Sequence, residues 1–330
     1  MRRDTGWRSF SIDKGRRPST AGGFSLAKNA LLDLQAELAG LVEAAGPAVV
    51  RIQARRGPAS GVLWSADGLV VTSHHVVEWD EGLEVGLADG SSVAARLLGR
   101  DPTTDIALLR VEGSGLPVSR WADAATIRVG HLAIALSRPG RSVRASLGMV
   151  SVRGDSWRSP AGGRLDVYVQ TDIARHPGFS GGLLVLASGE AAGVNTSGLF
   201  RGTSLVVPAS TVKRVVESLL AHGHVRRGYL GVGTYAVRLP ERLARELQQP
   251  TALLIVSVED DGPAARAGLH LGDVLVTFDG QAVRQPGDLL PLLEESRVGA
   301  SVIARIVRAG EAKDVNVEVA LRGATPGEKP

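Results

Sequence analysis

The sequence predicts a mainly β protein: two antiparallel β-barrels, a smaller β-rich module behind them and one helix in front. Three observations predict it. The 330 residues exceed one ordinary core. Aromatic residues make up only 4% while glycine occurs 41 times, a composition of short strands and tight turns. From Val49 onward the chain is written in short Val/Leu/Ile runs broken by Gly, Asp and Pro.

Residues 1–24 read as a disordered basic tail, with Arg2, Arg3, Arg8, Lys14, Arg16 and Arg17 set among Ser, Thr and Gly. Such a tail can attract an acidic partner. The composition favours a solvated segment, and no nucleic acid partner is expected. A helix over 25–45 follows, capped by Ser25, with Leu31, Leu34, Leu38, Leu41 and Val42 on one stripe.

The first strand set is Val49 to Ile52, Gly61 to Trp64, Leu69 to Thr72, Leu83 to Leu87, Val93 to Leu98 and Ile106 to Val111. The second is His131 to Leu136, Leu147 to Val152, Leu165 to Thr171, Gly182 to Leu186, Ala191 to Asn195 and Thr203 to Val207. Two such groups predict two barrels with a cleft between them. A helix opening at Ser210, with Val212, Val215, Val216, Leu219 and Leu220 on one face and Gly223 as its stop, ends a domain over 46–224. The next module, 225–322, has strands near Leu230 to Val237, Leu253 to Val258, Val274 to Phe278, Val302 to Val307 and Val315 to Val319. Its helices are expected at Ala264 to Ala267 and Gly287 to Glu295, and 323–330 reads as a tail.

Composition also excludes chemistries. Without cysteine there is no thiol nucleophile, disulfide or Cys-ligated zinc. No Gly-Lys pair occurs, so no Walker A loop exists to cradle a nucleotide. Neither a cofactor nor a metal is expected. No run is long enough for a transmembrane helix. The first residues also lack the apolar stretch of a signal peptide, so a cytoplasmic location with no transmembrane segment is expected.

The residues that carry chemistry are His75, Asp105 and the run Gly178-Phe179-Ser180-Gly181-Gly182. A serine alcohol is a poor nucleophile until a histidine takes its proton and a buried carboxylate fixes the imidazole tautomer. The order His, Asp, Ser is that of chymotrypsin-like enzymes and differs from the subtilisin and α/β-hydrolase orders. Ser180 is therefore the candidate nucleophile, with the Gly178 and Ser180 N–H groups as the oxyanion hole. His74 is the rival base, Asp101 reads as a turn carboxylate, and Asp172 is a second acid near the nucleophile.

Four blocks resemble the HtrA/DegP family: Thr72 to Val77, Thr104 to Leu109, Gln170 to Ala174 and Pro177 to Gly182. Arg227 to Val232, Gly262 to Leu269 and Gly272-Asp273 resemble that family's PDZ domain. The resemblance implies a chymotrypsin-like double β-barrel followed by a PDZ domain. It implies an ATP-independent serine endopeptidase, assembled as a homotrimer, that acts on unfolded or damaged proteins. It selects His75 over His74 as the base and leaves Asp172 outside the triad. It also places Ala174, Asn195, Thr196 and Ser197 around the specificity pocket. Tyr229, Leu230, Gly231 and Val232 would offer N–H groups to a peptide C-terminus beside a strand edge. Three positions depart from the family pattern: Phe179 for Asn or Asp, Leu183 for Pro, and Ser73-His74 for an Asn pair. The large Phe179 side chain needs a pocket of its own, which predicts a nucleophile loop that rests in an inactive form until ligand arrives. The alternative is a catalytically inactive pseudoprotease that holds peptides as a chaperone or scaffold.

Overall fold

The computed structural model describes residues 23–54, 57–77, 81–200 and 202–321. The expected basic tail up to residue 22, the Ser25 cap and the C-terminal tail lie outside the described residues and side chains. Helix α1 (Gly23–Ala45) covers the expected helical segment, and its Leu31, Leu32 and Leu34 are exposed.

The first barrel is built from β1 (Val49–Ala54), β2 (Gly57–Leu63), β3 (Leu69–Ser73), β4 (Leu83–Gly86), β5 (Ser92–Asp101) and β6 (Ile106–Val111). It closes in the order β1-β2-β3-β6-β5-β4. Val50, Ile52, Val70, Val85 and Leu109 fill its interior. Strands β3 and β6 are buried on both faces. Their other face, with Leu69, Val71, Ile106 and Leu108, packs on Val194, Leu205 and Val207 of the second barrel. That shared layer explains why both strands are near-continuous apolar runs.

The second barrel uses β7 (Leu132–Ser137) and β8 (Arg144–Gly154). A small hairpin of β9 (Trp157–Arg158) and β10 (Arg164–Leu165) follows, then β11 (Tyr168–Thr171), β12 (Leu183–Leu186), β13 (Ala191–Thr196) and β14 (Ser204–Pro208). The barrel order is β11-β14-β13-β12-β7-β8. The expected strand from Leu165 to Thr171 is thus two pieces belonging to different sheets. Helix α2 (Ala209–His222) starts directly after Pro208, ends on a left-handed Gly223 and buries Val212, Val215, Val216 and Leu219 in the layer between the barrels. Leu220, expected on that face, is exposed.

The last module contains β15 (Gly228–Tyr229), β16 (Val232–Arg238), α3 (Glu241–Glu246), β17 (Thr251–Val258) and α4 (Pro263–Arg266). It continues with β18 (Val274–Phe278), β19 (Gln281–Ala282), α5 (Pro286–Leu289), β20 (Ser301–Arg308), β21 (Glu311–Glu318) and β22 (Ala320–Leu321). The main sheet runs β16-β17-β18-β20-β21, which leaves β16 at an edge. Leu253, Ile255, Leu275, Phe278, Ile306 and Val317 form its core. The helix expected over Gly287 to Glu295 is interrupted. After α5 the chain tightens into 3-10 turns at Leu290–Leu293 and Glu295–Arg297. Pro291 explains the break, because it lacks an N–H and its ring would collide with the Gly287 carbonyl in a continuing α-helix.

This module is tied to the first barrel at Asp101. Its buried carboxylate accepts from the Thr103 N–H and the Thr103 and Thr104 hydroxyls, and from the Arg227 guanidinium at 3.1 and 3.2 Å. Asp101 is more than a turn carboxylate. Arg158 of the small hairpin also pairs with Glu294.

Candidate active site

His75 stands in a 3-10 turn at the end of β3, and Asp105 heads β6, the neighbouring strand. The Asp105 backbone lies in the left-handed region, φ 58°. That conformation suits Asp better than most residues. It brings the Asp105 carboxylate to the His75 backbone N–H at 3.0 Å and to the ring Nδ1 at 2.9 and 2.8 Å. The Thr196 hydroxyl donates to the same carboxylate from the other barrel. Asp105 is 3% exposed, whereas the His75 side chain is 37% exposed and open to the cleft.

Ser180 lies between β11 and β12 of the second barrel. A cleft of about 210 Å³ is lined by His75, Arg175, His176, Gly178, Ser180 and Ser197 among others. The three candidate residues therefore come from two barrels to one cleft, with the His75–Asp105 pair formed. The Ser180 hydroxyl, however, hydrogen-bonds with the Ser197 hydroxyl at 2.9 Å and accepts from the Ser197 N–H at 3.2 Å. Among the described residues no hydrogen bond joins it to His75.

The nucleophile loop is held by its backbone. Phe179 N–H donates to the His176 carbonyl at 3.0 Å, Gly181 N–H to Asn195 at 2.9 Å and Gly182 N–H to Phe179 at 3.1 Å. The Gly178 and Ser180 N–H groups find no acceptor among the described residues, so both remain available to an incoming oxygen. Gly181 is needed because a Cβ there would stand 2.0 Å from the Ser60 carbonyl. Phe179 is 5% exposed and packs into the second barrel with Ile127, Val150, Val169 and Leu184. Its pocket is the barrel core.

Of the expected specificity residues, only Ser197 lines the cleft. Ala174 is exposed outside it, Asn195 is fully buried with neither side-chain polar atom partnered among the described residues, and Thr196 is turned to Asp105. His74 donates its N–H to the Asp105 carbonyl at 3.0 Å. Burial, followed by the nearby Arg100 charge, holds its imidazole below the usual histidine range. Asp172 accepts the Met149 N–H at 2.7 Å.

Sequence reasoning missed Ser60 and Gly198 here and gave Thr196 a different role. Ser60 and Thr196 act across the barrel interface, which no local pattern reveals. Gly198 sits where a Cβ would lie 2.6 Å from His75 Nδ1 and 2.8 Å from Asp105 Oδ2. Among the described residues no group of three or more His, Asp or Glu could hold a metal.

In the last module, Leu230 and Gly231 join β15 to β16, with Gly231 at φ 74°. The Glu259 N–H donates to the Gly231 carbonyl at 2.8 Å, and the Tyr229 hydroxyl donates to the Glu259 carboxylate.

Residues 59–194 match the trypsin-like peptidase domain and residues 228–319 the PDZ domain. The chain is similar to the probable periplasmic serine endoprotease DegP-like of Pseudomonas fulva (strain 12-X), 36% identical over 82% of this chain and 57% of that protein. The Brucella suis biovar 1 protein of the same name is 34% identical over 82% of this chain and 53% of that protein. The chain thus spans little more than half the length of these curated relatives. Among solved structures it resembles the HtrA-type protease AlgW with decapeptide, with TM-score 0.68 and 30% identity, covering 87% of this chain and 99% of that one. It also resembles the serine endoprotease from Yersinia pestis, with TM-score 0.67, 27% identity and coverage of 85% and 96%.

These relatives overturn the cytoplasmic expectation, since their names place them in the periplasm. That expectation rested on an apolar stretch not found near Met1, and an absence in a segment outside the described residues specifies no compartment. Among the described residues no helix is long and apolar enough to cross a membrane.

Proposed function

The chain belongs to the HtrA/DegP family of PDZ-bearing serine endoproteases, and on that premise we propose that it cleaves unfolded or damaged periplasmic proteins without ATP. The observation that carries this reading is the His75–Asp105 pair facing Ser180 across one cleft. Ser180 Oγ attacks the scissile carbonyl while His75 Nε2 takes its proton. Asp105 accepts from Nδ1–H and balances the imidazolium that forms. The tetrahedral oxyanion settles on the Gly178 and Ser180 N–H groups, each worth about 3 kcal/mol to the transition state. Collapse to the acyl-enzyme passes the proton from His75 to the leaving amine. Water then reverses the sequence to free Ser180.

The PDZ domain collects substrate. Tyr229, Leu230, Gly231 and Val232 receive a peptide carboxylate, and the open edge of β16 receives the extended chain. Assembly as a homotrimer belongs to the same proposal and rests on the family resemblance alone; sedimentation of the purified chain tests it.

The decisive experiment labels the protein with a fluorophosphonate and follows casein degradation. Wild type is expected to label and degrade, and Ser180→Ala to do neither. Wild type that binds peptide yet stays unlabelled would return the reading to a peptide-holding pseudoprotease.

A further inference from the structure

Ser60 belongs to β2 of the first barrel, yet its hydroxyl and N–H both donate to the nucleophile loop of the second. It is fully buried. Its hydroxyl donates to the Gly178 carbonyl at 2.6 Å, and its N–H donates to the Ser180 carbonyl at 3.2 Å. One residue thus grips the chain on both sides of Phe179. The direction of the hydroxyl is not free. The Arg138 N–H occupies the Ser60 oxygen at 2.8 Å, and the single Ser60 proton is directed at Gly178. Ser60 is itself held, because the Thr72 hydroxyl donates to its carbonyl at 2.6 Å. Arg138 is fixed by a buried guanidinium that donates to the carbonyls of Val49 at 2.6 Å, Arg141 at 2.7 Å and Gly46 at 2.9 Å.

We infer that Ser60 is a positioning residue of the oxyanion site, a role that rests on the proposed acyl-enzyme chemistry. The peptide between Gly178 and Phe179 is pinned at its carbonyl by Ser60 and at its N–H by His176. Gly178, at φ 85°, has no side chain to resist rotation. Once the Ser60 hydroxyl is removed, that peptide can turn, and the Gly178 and Ser180 N–H groups lose their common aim. A barrel that supplies no oxyanion donor therefore sets the direction of both.

The test uses the full chain, a fluorogenic peptide substrate and a peptide aldehyde, whose hemiacetal oxygen occupies the oxyanion site. For Ser60→Ala, kcat is expected to fall about tenfold to a hundredfold with KM little changed, a part of the loss known for deleting a donor outright. Aldehyde affinity falls by the same factor, while binding of a C-terminal peptide to the PDZ domain stays as in wild type. Lower thermal stability with kcat and aldehyde affinity intact would make Ser60 a plain core residue and overturn the inference. If Ser60→Ala does not fold, Ser60→Cys, a weak donor of similar size, carries the same expectation and the same overturning result. A wild type that neither labels with fluorophosphonate nor binds the aldehyde would defeat the protease reading itself and take this inference with it.

Discussion

The Ser180 and Ser197 hydroxyls lie 2.9 Å apart, and the Ser197 N–H reaches the same Ser180 oxygen at 3.2 Å. The candidate nucleophile therefore spends its hydrogen bonds within its own barrel and must turn toward His75 before it can react. A neutral hydrogen bond is worth about 1 kcal/mol net, or about fivefold in rate. Ser197→Ala is expected to accelerate fluorophosphonate labelling by about that factor. Unchanged or slower labelling would show that the contact does not restrain Ser180.

Gly198 faces the back of the His75–Asp105 pair, with no room for a methyl group. In Gly198→Ala the imidazole must shift, and a displacement of about 1 Å at a reacting group costs about a hundredfold. Peptide hydrolysis should show that loss while the melting temperature moves little. Activity within threefold of wild type would mean that the pair adapts.

Phe179 fills the core of the second barrel. Phe179→Ala is expected to cost about 3–5 kcal/mol in denaturant unfolding, the range for large-to-small changes at buried aromatic sites. The pocket that this large side chain was expected to need is the core of the second barrel. A loss below about 1 kcal/mol would indicate that the core closes over the gap.

In the PDZ domain Asp273 is 2% exposed. Burial alone would raise its pKa, but the Arg308 guanidinium at 2.7 Å and the His270 N–H at 2.8 Å bring it below the usual carboxylate range. Its contribution is therefore complete above the unfolded value of about 4 and disappears as pH falls through the lower folded value. Asp273→Asn should cost about 2 kcal/mol at neutral pH and flatten the acid side of the stability curve. An unaltered acid side, followed by denaturant unfolding between neutral and acidic pH, would remove Asp273 from the account.

The strands were legible because their Val, Leu and Ile runs are separated by Gly, Asp and Pro, and both barrels follow from them. Pro291 is the visible signal against a continuous helix over Gly287 to Glu295, because a proline cannot continue an α-helix. The pairing of His75 with Asp105 was legible as order along the chain. The Ser60 hydroxyl and the Gly178 carbonyl it serves are 118 residues apart. Thr196 and Asp105 are separated by 91. Such contacts exist only once two barrels meet, so Ser60 in β2 carried no visible message and Thr196 at the end of β13 was legible only as a residue beside the specificity pocket. Ser197 was named as a specificity residue, and nothing in the sequence pointed to its contact with the nucleophile.

Arg227 crosses from the PDZ side to a carboxylate only four positions ahead of Asp105, and the intervening Thr103 and Thr104 are fastened to that same carboxylate. The turn that delivers the orienting acid is thus braced by the neighbouring domain. Severing the PDZ domain at residue 225 would strip a counter-ion from the interior of the two-barrel half, so a truncated chain would differ from the whole in more than the loss of that domain.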